Sequence, residues 1–115
     1  ALTITGSNTF SNITNTVQPA SVLFTAGTTN TFTAFGLAGT AGNLVTVGSP
    51  TAAAHTLRKL TGIVAADYLS ISYSNATGGA VWSAGANSTN GGNNTGWSFG
   101  VAPSGVTGQF MSFFF

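Results

Sequence analysis

Leu2-Thr3-Ile4-Thr5-Gly6 stands near the start of the chain, and its pattern returns as Leu23-Phe24-Thr25-Ala26-Gly27 and as Leu44-Val45-Thr46-Val47-Gly48. A degraded fourth copy is Leu69-Ser70-Ile71-Ser72-Tyr73, and the starts lie 21, 21 and 25 residues apart. Apolar and small polar residues largely alternate in each copy, as in a half-buried strand, and the Gly that ends the first three suits a corner. A second series lies between the copies: Phe10/Ile13, Phe32/Phe35, Leu57/Leu60 and Val81/Ala84, spaced 22, 25 and 24 residues apart. Two interleaved series on one period of about two dozen residues describe stacked β-coils, each burying its apolar side against the next. The expected fold class is all-β, a short parallel β-helix (solenoid) of about four coils with a C-terminal cap and an extended tail. A β-sandwich or jelly roll built from the same strands is the alternative.

The chain in order supports this reading. Frequent Gly, abundant Thr and the alternation oppose helix. The one stretch with helical composition, Thr51 to Leu60, is read as strand because Leu57 and Leu60 fall on repeat positions; a helical turn near Ala52 to Ala54 is the alternative. Pro19 has no N–H for a ladder and so suits a corner. Asn8-Thr9-Phe10 and Asn30-Thr31-Phe32 match residue for residue, which places Asn at equivalent corners where its side chains can bond along the stack. After Gly85 the pattern stops. The segment from Ala86 to Gly96 is polar and turn-rich and is expected to cross the outside of the stack, with Trp97 and Phe99 capping the open end. Residues 1–100 are therefore read as the β-helical domain, and residues 101–115 as a linker and Phe-rich assembly tail. Phe110, Met111, Phe113, Phe114 and Phe115 form the expected assembly interface, because each buried Phe contributes roughly 1.5–3 kcal/mol.

Two segments resemble a known recurrent type. They are Tyr68-Leu69-Ser70-Ile71-Ser72-Tyr73-Ser74-Asn75-Ala76-Thr77-Gly78-Gly79-Ala80, continuing to Asn93-Asn94-Thr95-Gly96-Trp97, and Ala38-Gly39-Thr40-Ala41-Gly42-Asn43-Leu44-Val45-Thr46-Val47 upstream. They look like segments of the parallel β-helix-like regions of bacterial surface proteins and phage virion proteins. The resemblance implies a right-handed β-helix on a virion surface or outside the cell, and it carries no catalytic residues. This chain has less charge than is common in such segments, which fits an assembled surface.

Only Arg58, Lys59 and Asp67 are charged, and Cys is absent. With one carboxylate the chain alone cannot supply the acid–base pair of a glycosidase. His55 and Asp67 with a Ser could nominally form a triad, but no nucleophile-elbow signature surrounds any Ser. His55 is read as a polar residue on a coil face. One His and one Asp do not complete a zinc site. Cation binding by the Asn87 to Asn94 loop is weighed against ordinary turn formation, which is preferred. Arg58 and Lys59 are adjacent, so on a strand one of them is expected to reach inward or across an interface, and an ion pair with Asp67 is considered. Asn12, Asn75, Asn87 and Asn93 head Asn-x-Ser/Thr sequons that chance explains in so Asn- and Thr-rich a chain.

A net charge of +1 without a basic patch argues against nucleic acid, and no apolar run reaches the roughly 20 residues that span a bilayer. The expected function is non-enzymatic: a virion surface structural protein, as capsid decoration or a tail fibre or spike module. Its expected partners are copies of itself, with a trimer among the candidate numbers, and other virion proteins; no cofactor and no metal is expected. The alternative is a glycan-binding adhesin or receptor-binding module that contacts host glycans through Tyr73 and Trp82, although Trp82 and Trp97 are first read as core or cap.

Overall fold

The structure is a computed structural model and describes residues 1–100. Alternation followed by a tight corner produces twelve short strands: β1 (Leu2–Ile4), β2 (Thr9–Thr14), β3 (Ala20–Phe24), β4 (Thr29–Gly36), β5 (Val45–Gly48), β6 (His55–Arg58), β7 (Ile63–Ala65), β8 (Leu69–Ile71), β9 (Ser74–Thr77), β10 (Val81–Gly85), β11 (Thr89–Asn90) and β12 (Trp97–Phe99). They form three sheets, ordered β1-β3-β5-β8-β11, β2-β4-β6-β9 and β12-β10-β7. Among the described residues every pairing between named strands is parallel. The chain is a β-solenoid of about four turns. A sandwich or jelly roll is excluded, because its ladders run antiparallel.

The first two turns visit the first sheet and then the second, the next two go on to the third, and the last reaches the second sheet only through a bridge before β12 joins the third. Inward positions stack into rows along the axis. Val22 pairs with Val47 and Val47 with Ile71, while Ala20 pairs with Val45 and Val45 with Leu69. Most of these side chains are fully buried. Aromatic rings form a continuous pile through the middle. Phe10 stacks on Phe32 at 5.4 Å, Phe32 meets Phe35 edge-on at 5.3 Å, Phe35 meets Trp82 at 5.3 Å, and Trp82 meets Trp97 at 5.0 Å. Such edge-on geometry places a ring's positive rim on its neighbour's negative face.

The corners explain the remaining polar residues. Asn30 is fully buried, and its Oδ1 accepts from Asn8 Nδ2 at 3.0 Å and from the Asn8 backbone N–H at 3.1 Å. Asn15 and Ala38 exchange two hydrogen bonds across the first two turns. At the corner after the first sheet, Gly6 and Gly27 take positive φ, and Tyr73 (φ 51°) and Asn93 (φ 61°) take the same region. For a bulky residue such as Tyr that conformation is strained.

Several expectations are corrected. Leu2 pairs with Val22, so Leu23 stands beside Thr3 on the outer face instead of sharing Leu2's row. Leu57 pairs with Asn30, and Leu60 lies outside the strand, exposed. Val81 is exposed and Trp82 takes the core position. Of Thr51 to Leu60 only His55–Arg58 is strand, and residues 51–53 bend without forming a helix. The segment from Ala86 to Gly96 does not cross the outside. It is part of a further coil, with β11 on β8, a bridge from Thr95 to Asn75, and β12 on β10. Side-chain bonds replace apolar packing there: Asn94 donates to Ile71 O and to Asn90 Oδ1, and accepts from Ser74 N–H.

Candidate functional site

His55 opens β6 and points inward, because the alternation that buries Leu57 also buries the residue two before it. It is fully buried against the Phe24 ring, 5.1 Å away. Both ring nitrogens are engaged: Nδ1 lies 2.7 Å from Ser49 Oγ, and Nε2 lies 2.9 Å from Ser74 Oγ on the next turn. Ser74 Oγ also accepts from Trp97 Nε1 at 3.0 Å. A polar chain, Ser49–His55–Ser74–Trp97, thus crosses three successive turns. Burial lowers the His55 pKa from 6.5 to about 4.

A hydroxyl bonded to an imidazole is the geometry of a nucleophile and its base. Here the second nitrogen meets a hydroxyl, not a carboxylate, so nothing negative stabilises an imidazolium. A base of pKa about 4 is also weak at neutral pH. The chemistry of this arrangement is that of a neutral hydrogen-bonded tie. His55, expected as a polar residue on a coil face, is buried in the core, and its two serine partners lie 6 and 19 residues away with no motif to link them.

Asp67 sits at the corner leading into β8. Its Oδ1 accepts from Asn87 N–H at 2.9 Å and Tyr68 N–H at 3.0 Å, and its Oδ2 accepts from Asn87 Nδ2 at 3.0 Å. Burial pulls its pKa up, but these bonds outweigh it and hold the carboxyl below its usual value. Asp67 is therefore a corner brace and not the partner of Arg58 or Lys59. Arg58 is exposed and Lys59 half-buried, so neither reaches into the core. Among the described residues no three His, Cys, Asp or Glu side chains converge as metal ligands. Asn87, Asn90 and Asn94 bond to protein groups in the corners.

Of the two residues expected to touch glycans, Trp82 is 2% exposed and its Nε1 donates to Thr77 O, so its ring offers no face to a ligand. Tyr73 is half-exposed at its strained corner. Phe110, Met111, Phe113, Phe114 and Phe115 lie outside the described residues.

A groove of about 340 Å³ opens on the outer face of the second sheet. Thr9, Thr31 and Thr33 form one wall, and Lys59, Leu60 and Thr61 of the β6–β7 corner form the other. The sequence signal for it is Thr29-Asn30-Thr31-Phe32-Thr33, whose alternation places three hydroxyls on one face. No family model, no curated protein and no solved structure matches the chain.

Proposed function

We propose that the chain is a non-catalytic structural module of a virion surface, acting by association with copies of itself and with other virion proteins. The observation that carries this reading is the open first coil. Among the described residues β1 and β2 each pair with a strand on one side only, through β3 and β4. Their free backbone groups form a template for another strand. Leu2 (57% exposed) and Val17 (69% exposed) lie on the same coil, and Phe10 and Ile13 are half-exposed. The low charge supports the reading, because few groups repel an approaching edge. The virion setting rests on the resemblance of residues 38–47 and 68–97, and the Phe-rich segment from Phe110 to Phe115 supplies a second adhesive element.

The test is the mass in solution of the full chain, of Ser11→Lys on the exposed side of β2, and of a chain lacking Gln109 to Phe115. Association that falls in one or both altered chains supports the proposal. Unchanged mass in both, or a monomeric full chain, refutes it.

A further inference from the structure

We propose that the groove between the second sheet and the β6–β7 corner binds a carboxylate-bearing sugar, such as a uronate or sialate unit of a surface glycan. The proposal goes beyond the assembly reading and does not depend on it. It starts from charge placement. The chain has two cationic side chains, and both stand here: Lys59 in the groove wall, and Arg58 beside Thr31 in the ladder. Neither has a carboxylate partner among the described residues. The one acidic side chain, Asp67, is turned into its own corner by Asn87 and Tyr68, beyond the whole of β7. Two cationic side chains without a carboxylate partner, in a chain with three charged side chains, give this face a local positive potential.

The neutral lining selects the kind of anion. Thr9, Thr31, Arg58 and Thr77 form one outward row across four strands, in register. Parallel strands hold such a row at a spacing of about 4.8 Å. Thr33 adds a third hydroxyl on the groove wall, and Thr61 a fourth. Leu60 is 55% exposed and supplies an apolar patch beside them. Hydroxyls that donate and accept, an aliphatic surface and one ammonium match a sugar ring with its hydroxyls, its C–H face and one carboxylate. A polyphosphate or nucleic acid fits poorly, because two cations neutralise few phosphates.

The wall is also rigidly set. Lys59 N–H donates to Thr77 O at 3.1 Å, and Lys59 O accepts from Ala80 N–H at 3.2 Å. Its ammonium donates to Thr61 O, which anchors the side chain within the corner. These bonds pin the corner backbone to the following turn before any ligand arrives, so little ordering opposes binding.

The experiment is calorimetric titration of the full chain with trigalacturonate, with its methyl ester, with sialyllactose and with inorganic polyphosphate. One or both acidic sugars should bind, with the ester at least roughly tenfold weaker and the affinity falling as salt rises. Lys59→Gln should reduce binding by roughly tenfold, and Arg58→Gln and Thr33→Val each by a smaller factor, with unchanged tryptophan emission showing that the fold is kept. Failure of both sugars to bind, equal binding of acid and ester, tighter binding of polyphosphate, or binding that survives Lys59→Gln and Thr33→Val together would overturn the proposal. The mass measurements on the assembly reading stand whatever the titrations show.

Discussion

Acidification probes the buried His55 tie directly. In the fold His55 is neutral, because burial lowers its pKa from 6.5 to about 4. In the unfolded chain it takes up a proton near 6.5. Between those values the unfolded state holds more protons, so stability falls as pH falls. The contribution is whole above about pH 6.5, declines by about 1.4 kcal/mol per pH unit, and is gone near pH 4, a total of about 3 kcal/mol. Asp67 acts in a separate window. Its depressed pKa means that its contribution is lost only below the ordinary value of 3.8. With one His and one acidic side chain in the sequence, the range from about pH 6.5 to about pH 4.5 isolates the imidazole. The assay is urea unfolding followed by tryptophan emission, since Trp97 bonds to the same Ser74 oxygen as His55. His55→Gln should be less stable at neutral pH by about 1–3 kcal/mol, and its stability should be flat across the window. A flat profile in the unaltered chain, or an equal slope in both, would refute the tie as described.

Other substitutions test the packing and the corners. Phe24→Ala removes a fully buried ring between Phe32 and His55 and should cost about 3–5 kcal/mol in urea unfolding. Tyr73→Gly relieves a positive φ that Tyr73→Ala retains, so the glycine variant should exceed the alanine variant by about 1 kcal/mol in the same assay. Trp97→Phe keeps the ring but deletes the N–H that Ser74 accepts; a loss of about 1 kcal/mol is expected, with a smaller pH slope if Ser74 turns away from His55. Gly96→Ala should prevent the last coil from closing, read as loss of the blue-shifted tryptophan emission. Its φ is +78°, and an added methyl would collide with Ala76 O.

Much of the fold was legible because apolar positions recur. The pairs Phe10/Phe32 and Ile13/Phe35 are true rows, and Asn8 with Asn30 is a true corner ladder. The repeat points to the wrong row where the corners change length. Leu23 misses Leu2's row by one position, and one position on a strand reverses the face. Leu60 repeats the spacing of Phe35 but stands on a corner, beyond the end of β6. The third sheet escaped notice, since Ile63–Ala65 is only three residues long and shows one buried side chain. The polar segment after Gly85 was unreadable as a coil for a different reason. Its contacts are side-chain bonds to the turn before it, and those have no periodic apolar trace. The Ser49–His55–Ser74–Trp97 chain was hidden similarly, since its members come from three different turns.

That chain also bears on how the stack comes apart. A solenoid in which each turn touches only its neighbours behaves like a one-dimensional array and frays from an end. Here Trp97 of the last turn meets Phe35 of the second at 6.0 Å, and its indole nitrogen reaches Ser74, already bonded to His55. Contacts of this range join the second to the last turns into one cooperative block. Outside it stands β1, whose one ladder among the described residues is with β3. Amide exchange should therefore be fast at Leu2 to Ile4 and slow in the ladders of β5, β6 and β8. The end proposed to receive a partner is then also the end that can rearrange without loosening the rest.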